Sequence, residues 1–184
     1  PQSKKLDVII LAGGFGTRIA NVLKNRPKCL APIKNTDFLT IILKNLNTLP
    51  INRAILSLHH LADQIIKRAE QINKSKILNF DLDYVVEPTP KGTGGAIKYC
   101  LSNRTISKRF IVLNADTYVT GDLNPLFDAS KNTISLVCQD EVKRFGSVEL
   151  DHKLRVVNFL EKRDLKSRGY IYAGVANLNH RCFE

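Results

Sequence analysis

The feature that most constrains the fold is an apolar run that ends directly in a glycine-rich loop. The string DVIILAGGFGTR occupies residues 7–18, and its apolar half is nearly unbroken. Such a run at the start of an α/β chain is typical of a strand buried on both faces. The glycines that follow permit positive φ and let backbone N–H groups approach an anion with no Cβ in the way. The string therefore predicts a phosphate site at the carboxyl edge of a sheet.

Two known glycine motifs do not account for this loop. The dinucleotide-binding fingerprint needs a third glycine where Ile19 stands, and the Walker string G-K-[ST] does not occur in the sequence. By spacing alone, a plain strand-to-helix turn explains the glycines about as well as a ligand site does. Arg18 and Lys28, ten residues apart, favour the ligand site, because a triphosphate needs converging cations and a turn does not.

Composition and charge argue against several classes of protein. The 184 residues are 43% hydrophobic and 24% charged, which is typical of a single globular domain. No apolar run approaches the roughly 20 residues of a membrane span, so no membrane partner is expected. The four cysteines are scattered without a C-x-x-C pair, which predicts reduced thiols in a cytoplasmic protein. The net charge of +11 suggests nucleic acid, but the basic residues are dispersed, without a long Lys/Arg run. Positive potential also suits a cleft that binds phosphates, and a solvated surface accounts for most of the lysines.

Apolar runs alternate with stretches of helical periodicity along the whole chain. This alternation predicts a Rossmann-like α/β fold, in which a mixed, mostly parallel sheet is flanked by helices on both faces. We expect a helix over 37–49, capped by Asn35 or Thr36. Further helices are predicted over 61–72, 92–101 and 123–130, and further strands over 54–58, 82–86, 110–113, 134–138, 156–160 and 170–176.

Two more groups of unusual residues follow predicted strands, at the sheet edge where open α/β folds bind ligands. The string GTGG at 92–95 is a second glycine-rich turn whose amides suit a nucleobase or ribose, with a plain helix N-terminus as the alternative. Asp116, in Asn114-Ala115-Asp116, is suited to hold Mg²⁺, which prefers one or two carboxylates together with phosphate oxygens. An Asx-turn that ends the strand is the alternative for Asp116.

Taken together, these strings resemble the signature of the sugar-1-phosphate nucleotidyltransferases. GGFGTR followed by PKCL is similar to the family pattern G-G-x-G-T-R-L, then P-K-x-L, with Ile19 in place of leucine. The residues at 87–96 are similar to E/Q-x-x-x-x-G-T-x-x-A, and those at 114–116 to N-G-D. RFGSV, FLEK and YAG, at 144–148, 159–162 and 172–174, are similar to R-[YF]-G-x-V, F-x-E-K and N-A-G. The resemblance implies a nucleotidyltransferase fold of the GT-A-like kind.

The resemblance also implies a role for each matching residue. Arg18, Lys28 and Asp116 would be catalytic, with the two cations on the triphosphate and the aspartate on Mg²⁺. The implied nucleotide-binding residues are Leu11, Ala12, Gly13, Gly14, Gly16, Thr17, Glu87, Gly92 and Thr93. The implied sugar-phosphate-binding residues are Asn114, Gly146, Glu161, Lys162 and Gly174, and Tyr172 stands where the family usually has asparagine.

The implied reaction is nucleotidyl transfer, in which an NTP and a sugar 1-phosphate give an NDP-sugar and pyrophosphate. PKCLAPI, EPTPKGTGGAI, LNADTY and RFGSVELD are most similar to bacterial D-glycero-D-manno-heptose 1-phosphate guanylyltransferases. That similarity implies GTP and heptose 1-phosphate as substrates and a capsule or other surface polysaccharide as the destination. The alternatives are a mannose-1-phosphate guanylyltransferase, a uridylyltransferase acting for example on N-acetylmuramate 1-phosphate, and a non-catalytic nucleotide-binding regulatory module. Neither nucleic acid nor membrane is an expected partner, and a homo-oligomer is left open.

Glu87 is the candidate for selecting the base. Guanine presents N1–H and its 2-amino group as adjacent donors, and an ionised carboxylate can accept from both. Uracil presents one N–H between two carbonyl acceptors, which would repel a carboxylate. The alternatives for Glu87 are a solvated strand terminus or a ribose contact, with backbone amides selecting the base.

The resemblance also implies a second metal-binding acid, which in the resembled family lies downstream of the segment that ends at Gly174. After Gly174 the sequence has no aspartate, and Glu184 is its only acidic residue. We therefore expect the single nucleotidyltransferase domain over 1–184 to continue beyond this sequence, with Glu184 as the only candidate for that carboxylate within it.

Overall fold

A computed structural model describes residues 5–17, 20–142, 146–161 and 168–184. Its strands, in chain order, are β1 (Leu6–Leu11), β2 (Pro32–Ile33), β3 (Thr36–Asp37), β4 (Ile51–Leu58), β5 (Asp81–Val86), β6 (Arg109–Asn114), β7 (Thr133–Gln139), β8 (Ser147–Leu150), β9 (Val156–Leu160) and β10 (Gly169–Asn179). Its helices are α1 (Ala20–Leu23), α2 (Phe38–Leu46), α3 (Ala62–Ser75), α4 (Gly92–Asn103) and α5 (Asn124–Phe127), with 3₁₀ turns at Lys28–Leu30 and His180–Phe183.

The centre of the molecule is a parallel sheet of four strands. Within the described residues, eight strands join in the order β5-β4-β1-β6-β10-β8-β9, with β7 paired to β10, and the first four run parallel. β1 lies between β4 and β6, where Ile9 is in register with Ile55 on one side and Val112 on the other. Val8, Ile9 and Ile10 are fully buried, which confirms the prediction of a strand covered on both faces.

Helices pack on both faces of this sheet. On one face, Val8 and Ile10 belong to a core that includes residues of α2 and α3. On the other face, Ile9 belongs to a second core with Ile97 and Cys100 of α4. Because successive strand residues point to opposite faces, the unbroken apolar run of β1 supplies both cores. The predicted fold class, a mixed α/β sheet flanked by helices on both faces, is confirmed.

The remaining strands form an antiparallel extension of the sheet. β10 runs antiparallel to β6, with Val175 opposite Leu113 near the carboxyl end of β6. The earlier part of β10 continues past that end and pairs with β8, which in turn pairs with β9. The extension therefore lies beside the edge at which the parallel strands end.

The start of α2 differs from the prediction. Its N-cap is Asp37, so the predicted caps Asn35 and Thr36 are wrong. The Asp37 carboxylate accepts the Thr40 N–H at 2.9 Å and also the Arg68 Nε–H at 2.7 Å. Arg68 lies on α3, so a residue distant in sequence favours Asp37 as the cap over Asn35 and Thr36.

Two shorter elements also differ from the sequence-based expectation. The helix expected over 123–130 is the single turn α5, which begins at Asn124 and has Pro125 at its start. The four-residue strand β8 is not predicted by the sequence pattern, and it is defined by its pairing with β9 and β10. None of the helices in the described part of the chain is long and apolar enough to cross a membrane.

Candidate functional site

A cavity of about 640 Å³ opens where the four parallel strands end. This volume lies within the range of small-molecule sites. β1 leads into the first glycine loop, β4 into His59, β5 into Glu87, and β6 into Asp116 two residues beyond its end. The parallel order thus brings together residues that are far apart in sequence. The predicted site residues that line the cavity are Leu11, Ala12, Gly13, Gly14, Gly16, Thr17, Lys28, Glu87, Gly92, Thr93, Asn114 and Asp116.

The first glycine loop is packed against the end of β4. A Cβ on Gly13 would lie 3.1 Å from the His59 backbone nitrogen, so the loop touches the next strand directly. Gly16 has a φ of +60°, in the region that favours glycine. Phe15 projects from the loop, with its ring centroid 5.8 Å from that of His59 and 5.0 Å from that of His60. These contacts hold the backbone of the loop along the wall of the cavity.

Lys28 and Asp116 form an ion pair at the rim of the cavity. The Lys28 Nζ–H donates to Asp116 Oδ2 at 2.6 Å, across 88 positions of sequence. Lys28 begins the 3₁₀ turn after Pro27, and Asp116 follows β6. The other described donor to the carboxylate is the Thr117 hydroxyl, at 3.4 Å. Both paired side chains are nearly half exposed, at 43% and 45%, so they are accessible to a ligand in the cavity.

Glu87 is a buried carboxylate held in place from several directions. Its relative exposure is 4%, so the alternative of a solvated strand terminus is wrong. Oε1 accepts the Ser57 hydroxyl at 3.2 Å, and Oε2 accepts the Lys91 backbone N–H at 3.2 Å. The Glu87 N–H donates to the Leu58 carbonyl at 2.8 Å, and His59 Nδ1 lies 3.0 Å from the Glu87 carbonyl oxygen. Because a carbonyl only accepts, Nδ1 of His59 carries the proton.

A cysteine lies in the wall of the cavity beside Lys28. Cys29 is 4% exposed, and burial raises the pKa of its thiol to about 12. The thiol is therefore neutral near pH 7, and a thiol is a poor nucleophile compared with a thiolate. Cys29 is thus part of the cavity wall rather than a candidate for covalent catalysis.

The residues predicted to bind the sugar phosphate lie mainly on the antiparallel extension. Gly146 directly precedes β8, Glu161 directly follows β9, and Gly174 lies within β10. Of these three residues, none is in the wall of the 640 Å³ cavity as the described residues define it. Gly174 nevertheless adjoins the site, since a Cβ there would lie 2.7 Å from the Thr117 hydroxyl oxygen, next to Asp116. Tyr172 is on the same strand, and burial raises the pKa of its phenol to about 12.

Three other predicted residues need separate mention. Arg18 and Lys162 lie outside the described residues. Glu184, the candidate for a second metal-binding carboxylate, lies at the opposite edge of the sheet. β10 ends at Asn179 opposite Arg109, which begins β6, whereas Asp116 follows the end of β6. The suggestion for Glu184 is therefore wrong, because the antiparallel course of β10 carries the chain away from the site.

Among the lining residues that sequence reasoning did not assign to the site are Phe15, Ser57, His59 and Lys91. Ser57 lies near the carboxyl end of β4 and His59 follows that strand. Among the four parallel strands of the described residues, β4 is the one without a recognised motif behind it. The paired histidines that follow this predicted strand are the signal that would have identified the segment. Lys91 precedes the second glycine turn, and its backbone N–H, rather than its side chain, makes the bond to Glu87.

Comparison with known proteins agrees with this geometry. The model of one protein family, described as nucleotidyl transferase, matches residues 7–184. The chain belongs to the nucleotidyl transferase family. The D-glycero-alpha-D-manno-heptose 1-phosphate guanylyltransferases of Campylobacter jejuni and Aneurinibacillus thermoaerophilus are both 33% identical to it; each match covers 97% of this chain, and 78% and 77% of those proteins.

A solved structure extends the similarity to the fold. The crystal structure of HddC from Yersinia pseudotuberculosis complexed with GMP-PN has a TM-score of 0.82 and 36% sequence identity to this nucleotidyl transferase. The match covers 97% of this chain and 79% of that one. The predicted family and fold are therefore confirmed.

Members of this family generally use a divalent metal ion. In the ranges that the structure describes, no three His, Cys, Asp or Glu side chains cluster as they would around an ion held by protein groups alone. Asp116 offers a single, half-exposed carboxylate at the rim of the cavity. That donor set fits an ion that takes most of its ligands from water and from substrate phosphates.

Proposed function

We propose that this nucleotidyl transferase forms GDP-D-glycero-D-manno-heptose and pyrophosphate from GTP and the heptose 1-phosphate. The observation that carries the proposal is the cavity, in which a glycine loop, the Lys28–Asp116 pair and the buried Glu87 carboxylate meet. The two guanylyltransferases described above support the choice of base and sugar. All four cysteines are free, in keeping with a cytoplasmic enzyme that feeds synthesis of a surface polysaccharide.

The proposed reaction needs no side-chain nucleophile. An oxygen of the sugar phosphate forms a bond to the α-phosphorus of GTP. The bond that breaks joins that phosphorus to the oxygen that bridges the α- and β-phosphates. Pyrophosphate leaves with the electron pair. Catalysis then consists of holding the two substrates in line and neutralising the charge that builds up on the phosphates. The neutral Cys29 thiol is consistent with this direct transfer.

Each charged group of the site has a distinct task in this reaction. The N–H groups of the loop over 13–17 and the Arg18 guanidinium would bind the β- and γ-phosphates. Lys28 would neutralise the charge that develops between the α-phosphate and the leaving group. Lys162 would bind the phosphate of the sugar. Asp116 would hold Mg²⁺, and that ion, when bound, supplies further positive charge to the phosphates.

Selection of the two substrates is assigned to different parts of the site. Glu87 would accept the N1–H and 2-amino donors of guanine, while Gly92 and Thr93 would contact the nucleoside through the second glycine turn. Asn114, Gly146, Glu161 and Gly174 would contact the sugar phosphate. Glu161 is exposed at the end of β9, so its carboxylate is available to sugar hydroxyls.

A panel of sugar 1-phosphates against GTP, ATP, UTP and CTP tests this proposal. Pyrophosphate release gives the rate, and mass spectrometry identifies the nucleotide sugar. We expect the highest kcat/KM for GTP with the mannose-configured heptose 1-phosphate, and a Lys28→Met variant gives the background. Preference for mannose 1-phosphate would favour the mannose-1-phosphate guanylyltransferase, and faster turnover with UTP would refute the choice of base. No pyrophosphate from any pair, despite nucleotide binding, would favour a regulatory module.

A further inference from the structure

We infer that Ser57 is a positioning residue for base selection, acting through the Glu87 carboxylate. This inference rests on the proposed function, in which Glu87 meets guanine. Ser57 lies at the end of β4 and is 1% exposed, and its hydroxyl donates to Glu87 Oε1 at 3.2 Å. The two side chains extend from neighbouring parallel strands, since Ser57 on β4 is in register with Val85 on β5.

The bonds to Glu87 leave its carboxylate with a limited set of free acceptor positions. An ionised carboxylate has roughly four lone-pair positions, two on each oxygen. Ser57 uses one position on Oε1, and the Lys91 N–H uses one on Oε2. One position on each oxygen is then left for a ligand in the cavity that Glu87 lines. Two adjacent acceptors match the two adjacent donors of guanine.

The hydrogen bond from Ser57 determines how the Glu87 carboxylate is rotated about its terminal torsion. The main chain of Glu87 is fixed independently by the Leu58 carbonyl and by His59 Nδ1. The Lys91 N–H holds Oε2 alone, and a carboxylate held at one oxygen can still turn about its terminal torsion, which is broad. Holding Oε1 as well fixes the plane of the group. Without the Ser57 hydroxyl, the carboxylate is free to turn so that it meets one guanine donor and misses the other.

The surroundings of Ser57 direct its single proton to Glu87. The Cys100 thiol lies beside the hydroxyl, and burial raises the pKa of that thiol, against a smaller opposing effect of the Ser57 hydroxyl itself. A thiolate would compete for the Ser57 proton, but a protonated thiol is only a weak acceptor. Glu87 is therefore the strong acceptor within reach of the hydroxyl, and Ser57 is left as its donor.

The test compares GTP with inosine 5′-triphosphate, which lacks only the 2-amino group. The wild-type enzyme is expected to favour GTP in kcat/KM by about tenfold or more, as one hydrogen bond to a carboxylate provides. In Ser57→Ala the ratio of kcat/KM for GTP to kcat/KM for inosine 5′-triphosphate is expected to fall to about twofold, because inosine needs only one of the two acceptors. In a Glu87→Gln background, Ser57→Ala is expected to change this kcat/KM ratio by less than about twofold. A residue that acts through Glu87 has little effect once Glu87 has been replaced.

Two controls separate this effect from a loss of folding. Ser102→Ala removes a hydroxyl that bonds the Lys98 carbonyl on the exposed face of α4, and it is expected to leave the ratio unchanged. The melting temperature of each variant shows whether it is folded. If Ser57→Ala slows both nucleotides equally and keeps the wild-type ratio, Ser57 has only a structural role and the inference is overturned. If the wild-type enzyme itself prefers UTP to GTP, the proposed function fails and the inference fails with it.

Discussion

Replacing Lys28 with methionine is expected to abolish most activity while leaving the protein folded. Methionine keeps much of the apolar stem of the side chain and removes the ammonium group. The ion pair that is lost has an N–O distance of 2.6 Å, but its side chains are 43% and 45% exposed. Pairs of that exposure contribute about 0–1 kcal/mol to stability, because water and salt screen them. For a chain of this size, that corresponds to a melting temperature lowered by at most about 4 °C.

The expected loss of activity is much larger than the loss of stability. Removing one electrostatic contact to charge that develops in the transition state costs about 10²–10³ in rate, or about 3–4 kcal/mol. Pyrophosphate release at saturating substrates measures the rate, and differential scanning fluorimetry measures the melting temperature. Lys44→Met, on the exposed side of α2, is the matched control and is expected to keep wild-type values for both. Turnover of Lys28→Met within threefold of wild type would refute the role assigned to Lys28.

Four other variants test separate parts of the site and the fold. Arg18→Ala is expected to lower kcat by about 10²–10³, and near-full turnover would contradict its role on the triphosphate. Asp116→Asn is expected to lower kcat to a similar degree and to raise the Mg²⁺ concentration needed for half-maximal rate. Gly174→Ala is expected to cost about 2 kcal/mol in urea unfolding, because φ is +82° and a Cβ would lie 2.7 Å from the Thr117 hydroxyl oxygen. Asp83→Asn is expected to destabilise the protein at pH 7, and the difference from wild type is expected to shrink progressively as the pH falls below about 3.9, as urea unfolding at a series of pH values would show.

The pH dependence for Asp83 follows from its surroundings. Burial alone would raise the pKa of Asp83, but hydrogen bonds from Arg104 and the Tyr84 N–H, together with the Arg104 charge, outweigh burial and lower it. A carboxyl group whose pKa is lower in the folded state stabilises that state above its unfolded pKa of about 3.9. That stabilisation is lost as the pH falls through the folded pKa. A difference between wild type and Asp83→Asn that did not shrink as the pH fell below about 3.9 would contradict this assignment.

The parallel half of the fold was predictable because buried parallel strands are apolar throughout. β1 is recognisable from its sequence for this reason, and the residues that follow β1, β5 and β6 could be assigned to one site from the topology alone. The apolar part of β4, over 54–58, is recognisable too, yet Ser57 and His59 at its end belong to no motif. Their importance comes from Glu87, which follows the neighbouring strand β5 and bonds to both. A single sequence does not indicate which strand end will adjoin which carboxylate.

Local ambiguity accounts for the wrong cap of α2. Asn35, Thr36 and Asp37 are consecutive, and each is of a type that caps helices well. The structure adds the Arg68 guanidinium, 31 positions away, and of these three residues it bonds Asp37. Glu184 failed as a metal ligand for a related reason, since its position depends on the antiparallel direction of β10 rather than on its distance from Gly174 in sequence.

The two halves of the site are built differently, and this difference has consequences for substrate selection. Of the two glycines on the proposed sugar side, Gly174 is required by packing, because its φ is +82° and a Cβ would lie 2.7 Å from the Thr117 hydroxyl oxygen. A Cβ on Gly146 would make a tight contact, 3.0 Å from the Leu160 carbonyl oxygen. Their presence therefore carries little information about the sugar. Glu161, in contrast, is exposed and free to be replaced without loss of packing. Base selection is proposed to depend on the buried Glu87, whose carboxylate is already held by Ser57 and Lys91. We therefore expect changes of sugar preference to need fewer and less destabilising substitutions than changes of base preference.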